Sequence, residues 1–222
     1  MQFQKSFIKI LTAAAALWCA SSTATVILFD VNDIGTNNTQ GSWTAANLNG
    51  VNNVLFTSVG GATLDDRDRG ASNTNSGDSA NNEMWRDFVF ARNTSAQESG
   101  MDVSIDGLLA STYYDVRLWA FDDSSNGGRN MTWNGQALNI PTNGDPASLN
   151  DQMVSFSAMT NVLGVLTLEG RIGSPVGDCC NVFVNGFELT AKEVPVPAPA
   201  TVALLGLGLA GLGLSRRRKL SV

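Results

Sequence analysis

Histidine does not occur in these 222 residues, and that decides which chemistries are open. No Ser-His-Asp or Cys-His mechanism can be assembled, and no imidazole can ligate a metal. Of the three cysteines, Cys19 falls in an apolar N-terminal segment, while Cys179 and Cys180 are adjacent. Neighbouring cysteines cannot staple distant strands, and a zinc site needs more soft ligands than exist. A vicinal disulfide, an intermolecular pair and buried thiols all stay open for them, with a local structural role expected rather than redox chemistry. What remains is the chemistry of oxygen atoms and aromatic faces.

Sugars are held by aromatic rings against C–H surfaces and by planar polar side chains against hydroxyls. Trp43, Trp85, Trp119 and Trp133 could supply the rings, although a tryptophan in an all-β protein is more often core. Trp119 is the strongest candidate. Strand alternation places it with Asp115, Arg117 and Phe121, opposite the face of Tyr114, Val116, Leu118 and Ala120. Unpaired charges resist burial, so the Asp115, Arg117 and Trp119 face is expected to be partly open. Trp119 would then stack on a polysaccharide, and Arg117 and Asp115 would contact its hydroxyls. Paired carboxylates can hydrolyse glycosides, but abundant acids supply no geometry and no nucleophile motif occurs. The expectation is that the chain is not an enzyme.

The acids also set the field. Residues 25–193 hold all twenty Asp and Glu but only eight of the fourteen Lys and Arg, a net charge of −12. Nucleic acid, which needs a basic footprint, is not an expected partner.

The elements that would position these residues are short. Apolar runs alternate with clusters of Asn, Ser, Thr, Asp and Gly, a pattern of many strands and turns. Strands are predicted at Val26–Val31, Val54–Val59 and residues 85–91, 101–106, 113–121, 153–158, 162–168 and 182–189. Residues 130–138 should form a hairpin turning at Asn134-Gly135, and residues 63–82 a long loop. Eight or nine such strands imply a β-sandwich or jelly roll.

Both ends differ from this body. Lys5 and Lys9 precede an apolar segment at 10–20, and Ser22-Thr23-Ala24 offers small residues for cleavage, the pattern of a secretory signal peptide. At the other end a Pro/Ala hinge, Val196-Pro197-Ala198-Pro199, leads into an uncharged apolar run at 200–214 and then Arg216, Arg217, Arg218 and Lys219. The run is about 15 residues, roughly 22 Å as a helix against a ~30 Å hydrocarbon core. Its flanks bring it within range of a thin or tilted span, with the four cations held in the cytoplasm. This tail resembles the PEP-CTERM signal of Gram-negative bacteria that make extracellular polysaccharide, whose tails an exosortase processes. Ala198 stands where that motif usually has Glu.

The body carries a second resemblance. Phe29-Asp30, Asp66-Arg-Asp-Arg-Gly70, Arg86-Asp-Phe-Val-Phe-Ala91, Tyr114-Asp-Val-Arg-Leu118 and Val184-Asn-Gly-Phe-Glu-Leu189 come in an order similar to the galactose-binding-like β-sandwich modules of rhamnogalacturonan-degrading enzymes, and to malectin-like domains. The chain departs early, with Asp30-Val31-Asn32 where that family often reads Asp-Phe-Gly. The resemblance implies an accessory domain without its enzyme, and a structural calcium between the first and last strands. Asp30, Asp33 and Glu188 are the ligands it implies, with Asp65, Asp66 and Asp68 as a rival run.

The expected architecture is therefore all-β. A signal peptide (1–24) and its helix are followed by one jelly-roll-like β-sandwich (25–193) and a transmembrane sorting segment (194–222). The expected protein is exported, held in the cytoplasmic membrane before processing, and then located at the cell surface or in the matrix. Its partners would be exosortase, the secretion machinery and extracellular polysaccharide. The alternatives are a structural envelope protein without a specific ligand and, more remotely, a glycan-acting hydrolase.

Overall fold

Alternating apolar and polar residues become strands with one face buried, as in Gly100–Ile105, where Met101, Val103 and Ile105 are inaccessible and Asp102 and Ser104 are not. The computed structural model describes residues 25–35, 39–70, 79–92, 98–122, 129–140, 146–173 and 182–192. The expected signal peptide, Cys179, Cys180 and the sorting-motif residues Val196, Pro197, Ala198, Pro199, Arg216, Arg217 and Arg218 lie outside them. Backbone proximity divides the chain into two units, Met1–Lys192 and Glu193–Val222. Among the described residues no helix is long and apolar enough to cross a membrane.

Among the described residues the first unit is all-β, with one short α-helix. Its strands are β1 (Val26–Val31), β2 (Thr44–Ala46), β3 (Val54–Val59), β4 (Thr63–Asp68), β5 (Asp87–Arg92), β6 (Gly100–Ile105), β7 (Tyr113–Trp119), β8 (Arg129–Trp133), β9 (Gln136–Ile140), β10 (Met153–Met159), β11 (Leu166–Ile172), β12 (Val182–Val184) and β13 (Gly186–Ala191). The helix, α1 (Asn82–Arg86), runs directly into β5. One sheet has the order β10-β7-β13-β1-β2, a second β3-β6-β11-β8-β9, and a three-stranded sheet β12-β5-β4. Residues from all three form a single hydrophobic cluster, in which Phe29 stacks on Phe187 at 4.7 Å and Phe88 lies 5.8 Å from Phe183.

The hairpin at Asn134-Gly135 forms as expected, with both residues at positive φ (47° and 76°). Three expectations are corrected. Thr63–Asp68 is a strand and not a loop, because it pairs with β5 along its whole length. Trp85 lies in α1 rather than in a strand. The run 182–189 is two strands in two different sheets, broken at Asn185.

Candidate functional site

β7 shows the expected alternation, with Tyr114, Val116 and Leu118 buried and Tyr113 and Asp115 exposed. Its outer face does not stay open. Trp119 is 0% exposed and belongs, with Met84, Trp85 and Phe121, to a second core cluster covered by Trp43, Leu149 and Met153. Trp43 lies 5.5 Å from Trp119, and Trp85 meets Phe121 edge-on at 6.0 Å. The indole Nε1 of Trp119 donates to Leu149 O at 2.7 Å. The platform expected at Trp119 is thus a packed tryptophan.

Arg117 did not keep this face open because its charge is satisfied where it lies. Its guanidinium sits 5.1 Å from the Trp119 ring, donates to Leu149 O at 3.1 Å and to Asn150 Oδ1 at 3.2 Å, and pairs with Glu188 at 3.7 Å. Such partners offset the cost of taking a cation out of water. Asp115 lies on the same face but nearer the Tyr113 end of the strand, where Ser157 Oγ donates to it at 2.6 Å and Lys192 Nζ at 3.0 Å. The Ser157 hydrogen bond and then Lys192 hold its carboxyl below the usual range. Arg117, Asp115 and Trp119 therefore do not converge on one open site.

The three carboxylates implied as calcium ligands are not brought together either. Glu188 is engaged by Arg117, while Asp33 accepts from Gly35 N at 2.8 Å beside Asp66. The rival run is engaged residue by residue: Asp65 pairs with Arg92 at 3.2 Å, Asp66 accepts from Ile34 N at 2.9 Å and Asp68 pairs with Arg86 at 2.9 Å. Among the described residues no group of three or more acidic or cysteine side chains is arranged to hold a metal.

Asp30 nevertheless stands out. It is 0% exposed, on the side of β1 away from Phe29 and shared with Asn32, which is 2% exposed. One carboxylate oxygen of Asp30 accepts from Gln40 N. Among the described residues the other oxygen, the amide oxygen of Asn32 and the amide oxygen of Gln40 are buried without a hydrogen-bond donor. The amide nitrogens are already committed, Asn32 Nδ2 to Thr39 Oγ1 and Gln40 Nε2 to Ala80 O, both at 2.8 Å. Burial, with Asp87 and Glu83 as further negative charges, pushes the Asp30 carboxyl up to about 7. An all-oxygen set lacking donors is satisfied by a hard cation or by a proton on the carboxyl. Asp30, rather than the set with Asp33 and Glu188, is where a cation would find an unsatisfied buried carboxylate oxygen.

The spacing of apolar residues does not announce the role of Asn185. Asn185 is completely buried where the chain passes from β12 to β13. Its Oδ1 accepts from Phe121 N at 2.6 Å, its Nδ2 donates to Asp87 O at 2.9 Å, its N donates to Trp119 O and its O accepts from Val31 N. Gly186 follows because a Cβ there would lie 2.9 Å from Phe29 O and 3.1 Å from Met84 Cγ. The Val184-Asn-Gly-Phe sequence thus has a structural cause. A lone Asn-Gly inside an apolar run was the available signal.

These features define a β-sandwich with a packed, hydrogen-bonded interior, followed by a segment of quite different composition. Residues 195–219 of that segment match the PEP-CTERM protein-sorting motif. The chain therefore carries the signal of an exported protein sorted by processing at the membrane. No curated protein matches the chain in sequence. Solved structures similar to the sandwich include Bacteroides uniformis beta-glucuronidase 2 bound to cyclophellitol-6-carboxylate aziridine, at a TM-score of 0.44 and 11% identity over 76% of this chain and 18% of that one. The CBM22-1–GH10 modules of Clostridium thermocellum xylanase 10B with xylohexaose give 0.37 and 11%, over 64% and 27%. The ANXUR1 extracellular domain from Arabidopsis thaliana gives 0.45 and 14%, over 80% and 53%. Likenesses this loose carry no argument about activity or ligand, and the chain spans only a small part of the first two proteins.

Proposed function

We propose that this chain is an exported, exosortase-processed protein of the cell envelope or extracellular matrix, built around a jelly-roll-like sandwich that acts structurally and without catalysis. The observation that carries the reading is the sorting motif at 195–219 behind a folded, strongly acidic body. The lack of histidine supports the non-catalytic part. Of the two non-catalytic readings, a structural module is favoured over a polysaccharide binder, because Trp85, Trp119 and Trp133 are all 0% exposed and offer no ring to a sugar.

Intact-mass measurement of the protein extracted from the surface of an exosortase-bearing host tests the first part. The expected product lacks Arg216, Arg217, Arg218 and Lys219. Recovery of a full-length tail in that pool contradicts the reading. Affinity electrophoresis in polysaccharide from the same matrix tests the second part. Retarded migration that Tyr113→Ala abolishes would restore the sugar-binding reading, since Tyr113 is the exposed aromatic of the β7 face.

A further inference from the structure

Among the described residues, five of the eight exposed large apolar side chains gather in one place. Val162 and Leu163 are each 80% exposed, Leu109 64%, Met159 53% and Tyr113 52%. They come from two loops and the strand ends that carry them. Thr160 Oγ1 donates to Leu109 O at 2.6 Å, Ser111 N to Asn161 O at 3.0 Å and Leu108 N to Gly164 O at 3.1 Å, so the loops 107–112 and 160–165 are laced side by side. Tyr113 and Met159 face each other across β7 and β10. A group of exposed apolar residues of this kind marks an interaction surface.

The covalent chain says what that surface meets. Lys192 N donates to Tyr113 O at 2.8 Å, so the chain leaves the sandwich on this rim. Only residues 193–199 separate Lys192 from the apolar run at 200–214. A Pro-rich linker of that length reaches roughly 22 Å at about 3.1 Å per residue. With the apolar run lodged in a bilayer, this short linker tethers Lys192 to the membrane. The composition suits an interface. Tyr113 is a headgroup-level residue type. Asp115 is neutralised by Lys192, and exposed Asp106 at the base of the 107–112 loop limits contact to shallow depth.

We propose that the rim of Leu109, Tyr113, Met159, Val162 and Leu163 is a lipid-facing surface that settles into the headgroup region of the membrane holding the tail. This rests on the reading that the tail is membrane-inserted before processing. The test uses the full chain in vesicles of phosphatidylethanolamine and phosphatidylglycerol with brominated acyl chains, which quench nearby indoles. Leu163→Trp and Val162→Trp place a reporter on the rim. Ile34→Trp is the control, because Ile34 is exposed beyond the far end of β1, whose six residues span about 20 Å. The expected result is loss of the added fluorescence at 163 and 162 and none at 34. Co-flotation with vesicles and equal or absent quenching at both ends overturns the proposal alone, and a dimer by sedimentation would then assign the rim to a second copy. Failure to co-float overturns the tail reading and the proposal together.

Discussion

Asp30 carries a charge that either a proton or a cation can neutralise. In the unfolded chain its carboxyl titrates at 3.8, and in the folded protein at about 7. Between those values the native state holds a proton that the unfolded chain has lost. The stability this gives is complete below the unfolded value and is lost as pH rises through 7. With a chelator present, the melting temperature should fall over that window, and Asp30→Asn should flatten the fall. Calcium needs the ionised carboxylate. Its stabilising effect should therefore be larger near pH ~8 than near pH ~5, and smaller in Asp30→Asn. No calcium response at either pH removes the metal and leaves the proton. Asn185 makes a second prediction at this scale. Asn185→Ala would remove the side-chain partner of Phe121 N and of Asp87 O. At about 1–3 kcal/mol for each buried group, urea denaturation should show one of the larger losses available to a single polar substitution.

At the scale of elements, what could be read in the sequence was what local alternation controls. β6, β7 and the Asn134-Gly135 hairpin carry their own pattern, and they fold accordingly. β4 was hidden by its charges, Asp65, Asp66, Arg67 and Asp68. It is an edge strand, where such charges discourage pairing with other chains. Arg67 finds the Phe90 ring at 5.0 Å and Asp65 finds Arg92, partners supplied by another segment. The candidate site failed for the same reason. Alternation says which side of β7 Trp119 occupies, but not that Trp43 and Leu149 will cover it. As a core residue, Trp119→Ala should cost about 3–5 kcal/mol in chemical denaturation. An unchanged midpoint would mean that the indole is not packed as described.

Over the whole sandwich the two ends of β1 differ in character. Near Val26 lie the exposed apolar rim and the exit of the chain at Lys192. Around its Val31 end lie the buried oxygens of Asp30, Asn32 and Gln40 and the tryptophan cluster. The end chemistry of the domain is thus divided between apolar contact and charge compensation. Neither division was visible in composition, since both depend on which turns the pairing of distant strands brings together.

The position of β13 bears on how such a chain crosses a membrane. It is the last strand made, yet it lies in the middle of its sheet, between β1 and β7. The sheet β10-β7-β13-β1-β2 cannot close until residues 186–191 have emerged on the far side. The sheet β3-β6-β11-β8-β9 uses only residues 54–172 and is complete earlier. Vectorial export would therefore keep β1 waiting, unpaired on its β13 side, for nearly the entire passage. It would be released to pair only as the tail enters the translocon. In a refolding experiment with pulsed hydrogen exchange, amides of β6 and β11 should become protected before those of β1 and β13. Simultaneous protection would show instead that the two sheets form as one cooperative unit.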